Sequence, residues 1–276
     1  MSNTFERSCE HWSEASRAEM EHFYALASVD YKYLAEAFDW SGWLEKRQAE
    51  VGERQLKLLD VACGSGKFPE ALGQYARISD LNISSIEYSL LDPSAFSLAE
   101  ARKVLSPPFI AGAEFETTLQ ELVCERGEFD IAWATHALYA IPEDELEAAL
   151  SAFIRAISGG AGFIAHATES AHYLRFYQHY LDGFKGGIGA PYSSAEKIFK
   201  ILEKIGACFE VEQISYENVA PEGARMQVEG YLQRCLFDDT IDLSAMQANS
   251  FTGPYLATCL HNGQWHFKQH VTLFFF

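Results

Sequence analysis

One stretch, Leu58-Leu59-Asp60-Val61-Ala62-Cys63-Gly64-Ser65-Gly66-Lys67-Phe68, restricts what this chain can fold into more than any other. An apolar run reaches Val61, breaks at two glycines and resumes in a helical pattern, with Pro69 in the first turn and Ala71, Leu72 and Tyr75 free to face a core. That is a strand, a tight loop and a helix. Gly64 and Gly66 let backbone approach a ligand closely, and the helix N-terminus beyond them offers free N–H groups to a carboxylate or phosphate. The stretch points first to a nucleotide-like cofactor, the plainer alternative being that its glycines only punctuate a turn. A dinucleotide fingerprint needs glycine where Pro69 stands, which disfavours an NAD-dependent oxidoreductase; a P-loop needs Ser or Thr where Phe68 follows Lys67.

The rest of the chain alternates in the same way. Strands are expected over residues 85–91, 109–115, 129–134, 161–167 and 209–214, with a β-rich stretch over 265–276. Helices are expected over 95–105 with Ser94 as N-cap, 119–124, 142–157 between Pro142 and Gly159-Gly160, 170–181 with Ser170 as cap, 193–205 opened by Ser193, and 231–237. This order predicts an α/β fold, a Rossmann-like doubly wound sheet that is mostly parallel with an antiparallel closing strand. Over residues 2–43, Phe23, Tyr24, Tyr31, Tyr33, Leu34 and Phe38 recur at near-helical spacing, which predicts an N-terminal helical cap. The cap is assigned to 1–50 and the Rossmann-like domain to 51–276, with helical insertions near 170–200 and 222–250.

Composition narrows the partners. With 276 residues, 48% of them hydrophobic, the chain can bury a sizeable core, and a net charge of -18 argues against nucleic acid or an anionic membrane. The six cysteines form no CxxC pair, so no metal site is expected and free thiols in a reducing cytosol are. Without an apolar leader or a stretch of membrane-spanning length, the expectation is a soluble, cytoplasmic protein acting on a small molecule.

Ligands of open α/β sheets lie beyond the carboxyl ends of the strands, so Gly64, Asp92 and the loop Thr135-His136-Ala137-Leu138-Tyr139 should share one crevice. Asp92 can accept hydrogen bonds from ribose hydroxyls, or it merely opens the turn at Pro93. Asp30, among Tyr24, Tyr31 and Tyr33, suits an organic cation, though such a residue is more often solvated. His136 is either a general base or a polar loop residue satisfying a neighbouring carbonyl.

Asp60, its small followers and Gly64-Ser65-Gly66 resemble motif I of the class I S-adenosylmethionine-dependent methyltransferases, with Ala62 where that family commonly has glycine. The pattern Leu91-Asp92-Pro93-Ser94-Ala95, the Leu138-Tyr139 pair before a Leu- and Ala-rich helix, and the segments 231–243 and 271–276 resemble histamine N-methyltransferase and its relatives over most of the chain. The resemblance implies S-adenosylmethionine as cofactor and methyl transfer to a small molecule. It implies that Asp60, Gly64 and Gly66 form the cofactor loop, that Asp92 binds ribose, that Ser97 and Thr118 flank ribose or adenine, and that Thr135 offers backbone contact. It implies an acceptor site of Asp30, Tyr24 and either Gln269 or His270, with His136, in place of an amide, and Tyr139 at the reacting centre. The acceptor stays open among amine, imidazole, phenol and carboxylate, and a cofactor-binding regulatory module without catalysis is the alternative.

Overall fold

In the computed structural model, residues 4–81 and 83–276 are described; Ser2, included in the expected cap, lies outside them. In chain order the elements are α1 (Thr4–His11), α2 (Arg17–Glu36), α3 (Trp40–Val51), β1 (Lys57–Val61), α4 (Lys67–Tyr75), β2 (Ile86–Leu91), α5 (Ala95–Val104), β3 (Phe109–Phe115), β4 (Ile131–Thr135), α6 (Leu146–Ala156) and β5 (Ala161–Ala167). They continue with α7 (His172–Phe184), α8 (Ala195–Lys204), β6 (Glu210–Pro221), α9 (Arg225–Leu236), α10 (Leu243–Ala248), α11 (Thr252–Cys259), β7 (Leu260–His261) and β8 (Gln264–Phe275).

The strands form one sheet in the order β3-β2-β1-β4-β5-β8-β6, with β7 added to β8 as a hairpin. Neighbours from β3 to β5 pair in parallel, whereas β8 runs antiparallel to both β5 and β6. The closing strand is therefore internal. Val271 to Phe275 pair with β5 on one side while the whole of β8 pairs with β6 on the other.

Consecutive residues of the central strands feed different cores, which is why those strands read as unbroken apolar runs. Leu58 packs with Trp40, Phe68, Trp133 and Phe163 on one face, and Leu59 with Leu150, Phe153 and Phe274 on the other. A third cluster joins α7, α9, α10 and α11 to Trp265 and Phe267 of β8. Trp40 anchors α3, meeting Phe163 and Phe68 edge to face at 4.7 and 5.3 Å. The long α2 lies against α4, α9 and β6.

Several boundaries differ from expectation, each for a local reason. β6 runs past Ile214 to Pro221 because β8 pairs along its full length, and its inward positions, Tyr216, Asn218 and Ala220, begin only after Ile214. Ser194 rather than Ser193 caps α8, accepting from Lys197 N–H. α7 starts after Ala171, and the Ser170 hydroxyl pairs with Thr168 instead. Residues 119–121 make one 3-10 turn, and Pro142 opens a turn before α6. Among the described residues the six cysteines are free, no His, Cys, Asp and Glu cluster could hold a metal, and no helix is long and apolar enough to cross a membrane.

Candidate functional site

The strand-loop-helix stretch bends where the backbone turns left-handed. Ala62 has φ 50°, Gly64 51° and Gly66 74°, and the Cys63 N–H donates to Leu91 O at 3.1 Å, fastening the loop to the end of β2. The two glycines serve different ends. At Gly64 a Cβ would have only the Tyr24 hydroxyl near it, at 3.7 Å, and this backbone borders a cavity of about 180 Å³. At Gly66 a Cβ would lie 2.5 Å from the Val104 side chain and 3.0 Å from Ala101 Cα, so glycine there seats α4 against α5.

Asp92, buried, is held from three sides. Its Oδ2 accepts from Gly64 N–H at 3.0 Å, its Oδ1 from Ser94 N–H at 2.9 Å, and the Ser97 hydroxyl also donates to it. Burial pushes its carboxyl up to about 6 despite these bonds. A carboxylate has about four acceptor directions, so one stays open toward the cavity it lines. Ser94 caps α5 and donates to Trp12 O at 2.6 Å, which brings the end of the N-terminal segment over the Asp92 turn. Ser8, Cys9 and Trp12 line the cavity there.

The other end of the cavity is aromatic. Asp30, 2% exposed, accepts from the hydroxyls of Tyr173 and Tyr216 and, at 2.7 Å, from Asn218 Nδ2. Its neighbours bring no formal positive charge, and burial lifts its carboxyl to about 7 against the pull of those three bonds. Tyr24, Tyr31, Tyr139, Tyr173 and His136 line the same space. His136 sits at φ 54°, with its N–H donating to Ala165 O at 2.9 Å. Its Nδ1 lies 2.8 Å from the Tyr139 hydroxyl and its Nε2 3.3 Å from that of Tyr216. Tyr139 accepts from Ala167 N–H at 3.3 Å, so the network assigns the Tyr139 proton to Nδ1 and the ring proton to Nε2. Burial, with a smaller effect of His166, holds His136 down at about 3, a neutral imidazole with both nitrogens engaged.

Thus the fold gathers Gly64, Asp92, Thr118, Thr135, His136, Tyr139, Tyr24 and Asp30 around one cavity. Asp60, Gly66, Ser97, Gln269 and His270 stand apart from its lining. Asp60 is a buried residue of β1 itself, accepting from Tyr88 Oη of β2 at 2.7 Å. Gln269 is wholly buried behind Asn218, and His270 pairs with Ser215 at 2.8 Å. Sequence reasoning passed over Trp12, Tyr216 and Asn218; it took Tyr173 only as part of a Tyr-rich lid over residues 170–181, not as a partner of Asp30. The one available signal was Asn218, a polar residue in phase with Tyr216 and Ala220 on an inward strand face.

No family model matches the chain, and no curated protein matches it in sequence. Among solved structures, magnesium protoporphyrin IX methyltransferase from Synechocystis, bound to S-adenosylhomocysteine, superposes with a TM-score of 0.54 at 12% identity, covering 99% of this chain and 99% of that one. A Bacillus halodurans protein named as a candidate methyltransferase gives 0.54 at 14% identity, covering 84% of this chain and 96% of its own. A Thermotoga maritima protein named as a candidate histamine N-methyltransferase gives 0.45 at 17% identity, covering 75% and 84%, too distant to favour that subfamily. The chain has the fold of the S-adenosylmethionine-dependent methyltransferases.

Proposed function

We propose that this protein is an S-adenosylmethionine-dependent methyltransferase whose acceptor is a small molecule with a basic nitrogen. The observation that carries the reading is one cavity with two unlike ends: a buried carboxylate fastened to a glycine loop, and a second buried carboxylate inside an aromatic wall. At the first end, Asp92 would hold the ribose hydroxyls, the Gly64 backbone the methionine portion, and Thr118 and Thr135 would border the rest. The open direction on Asp92 and the space over Gly64 fit that group. S-adenosylmethionine supplies an electrophilic methyl group when bound.

At the second end, Asp30 receives the acceptor's ammonium and takes its proton, freeing the nitrogen lone pair. A carboxyl near neutrality suits both tasks at pH 7. The tyrosines add cation–π attraction and exclude water. His136 and Tyr139 form a fixed wall of this pocket. A nitrogen acceptor is favoured over a phenol or alcohol because an ammonium, unlike a neutral hydroxyl, is attracted by both the Asp30 carboxylate and the faces of the tyrosines that line the pocket. In this reading residues 1–50 act as a cap on the methyltransferase domain of 51–276.

Calorimetric titration with S-adenosylhomocysteine tests the first end. Asp92→Ala should weaken binding by about 1.5–3 kcal/mol for each charged hydrogen bond to ribose that is lost. Unchanged affinity in a folded variant would reject the assignment. A mass-spectrometric screen of amines incubated with S-adenosylmethionine tests the second; tight cofactor binding with no product over a broad amine set would leave only a binding module.

A further inference from the structure

Behind Asp30 lies a set of buried polar side chains outside the cavity lining. Asn218 of β6 and Gln269 of β8 are diagonal neighbours on the antiparallel pair, and both are fully buried. The Asn218 amide has one admissible orientation. Its Nδ2 meets two acceptors, Leu26 O at 3.2 Å and Asp30 Oδ1 at 2.7 Å, while its Oδ1 accepts from Gln269 Nε2 at 3.2 Å. Turned over, it would set its oxygen against a carbonyl and a carboxylate. Gln269 Nε2 is itself fixed by a second contact, to the Tyr231 hydroxyl at 3.1 Å.

With Tyr173 and Tyr216, Asp30 accepts from three neutral donors, and since a carboxylate has about four acceptor directions, about one faces the cavity. Every titratable group facing Asp30 is neutral near pH 7: Tyr31 of its own helix, Tyr139 and His136 after β4, Tyr173 of α7, Tyr216 of β6, and Tyr231 and Cys235 of α9. Burial pushes the phenols and the thiol up and the imidazole down, so the donors alone favour the anion.

We propose that Asn218, locked by Gln269, is a positioning residue that favours the ionised form of Asp30 and leaves it a single open acceptor direction, which selects a protonated amine bearing an N–H over a quaternary ammonium. This rests on the amine reading above: a quaternary ammonium has no lone pair to methylate, so the selection is one of binding, keeping quaternary cations from occupying the acceptor site. It also moves Gln269 from the acceptor to the support of the acceptor site.

The test is the pH titration of the Asp30 carboxyl carbon by NMR in the full-length protein saturated with S-adenosylhomocysteine, the signal being assigned by its loss in D30N. Asn218→Leu should raise the Asp30 midpoint by about one unit, the effect of one lost donor, which at pH 7 is about a five-fold fall in the ionised fraction. Gln269→Leu should shift it less, in the same direction. In the unaltered protein, trimethylammonium should lower the midpoint and tetramethylammonium at equal concentration should leave it. An unmoved midpoint in a folded N218L protein, or equal effects of the two cations, overturns the proposal. A shifted N218L midpoint with no effect of either cation instead overturns the amine reading, and the selection falls with it. The cation arm needs no variant to fold.

Discussion

His136 shows how far one residue's role depends on what packs against it. From sequence alone an imidazole in the loop after the fourth strand could be base or wall. The structure engages both nitrogens and buries the ring until it holds a proton only near pH 3, which makes it a poor proton acceptor at neutrality. Asparagine tolerates the left-handed backbone at this position, so His136→Asn should fold. Its kcat should stay within about ten-fold of the unaltered enzyme, whereas a general base would cost about 10²–10⁴-fold. Steady-state rates decide; a drop in the larger range restores the base. Asp30→Asn should act differently, raising the KM of a cationic acceptor while the affinity for S-adenosylhomocysteine holds, because the two ends of the cavity use separate carboxylates. Gly64, Asp92 and His136 were legible because each lies at a strand end that local pattern marks. The contacts of Tyr173 and Asn218 with Asp30 were not: they span 143 and 188 residues of chain, and no local spacing encodes such a contact.

Among the elements, strands β1, β2, β4 and β5 could be read from sequence because burial on both faces leaves a largely apolar run, whereas β3, the exposed edge strand, was legible only from its place in the alternation of strands and helices. The short helices α10 and α11 could not, and neither could the task of α1, which is set by contacts to residues far away in sequence. Polar clasps hold α1 and the segment after it. Arg7 donates to Tyr177 Oη at 2.6 Å and Tyr180 Oη at 2.9 Å, joining α1 to α7. Arg234 of α9 donates to His11 O and lies 4.8 Å over the Trp12 ring, while Arg17 pairs with Glu100 of α5. These contacts lay Ser8, Cys9 and Trp12 over the Asp92 end of the cavity. Arg7→Ala, which touches nothing in the cavity itself, should therefore loosen this cover. At about 1 kcal/mol for the lost hydrogen bonding, S-adenosylhomocysteine should bind about five-fold more weakly, mainly through faster dissociation. Stopped-flow displacement measures this directly, and an unaltered dissociation rate would show that α1 is not the cover.

At the scale of the whole molecule, buried titratable groups of two kinds set the stability against pH. Burial raises Asp30 and Asp60 to about 7 and Asp92 to about 6 from an ordinary 3.8. Between those values the folded state binds more protons than the unfolded one, so these carboxyls make the fold less stable as pH rises. Burial lowers His136, His166 and His172 to about 3, 4 and 3 from 6.5, and there the unfolded state binds more protons, so stability rises with pH. From about pH 4 to 6 the two sets oppose each other. Above 6.5 the unfolded histidines shed their remaining protons, so their opposing effect fades while Asp30 and Asp60, still titrating near 7, come to prevail, in the same direction as the raised buried thiols and the self-repulsion of a net charge of -18. The urea midpoint of the ligand-free protein should accordingly be lower at pH 8 than at pH 6.5. A midpoint that rises over this interval contradicts the burial of these carboxyls. Asp60 isolates one of these causes, since it lies outside the cavity and its partner Tyr88 can donate equally well to an amide oxygen. Asp60→Asn should flatten the decline between pH 6.5 and 8; if it leaves the slope unchanged, the Asp60 carboxyl is not among its sources.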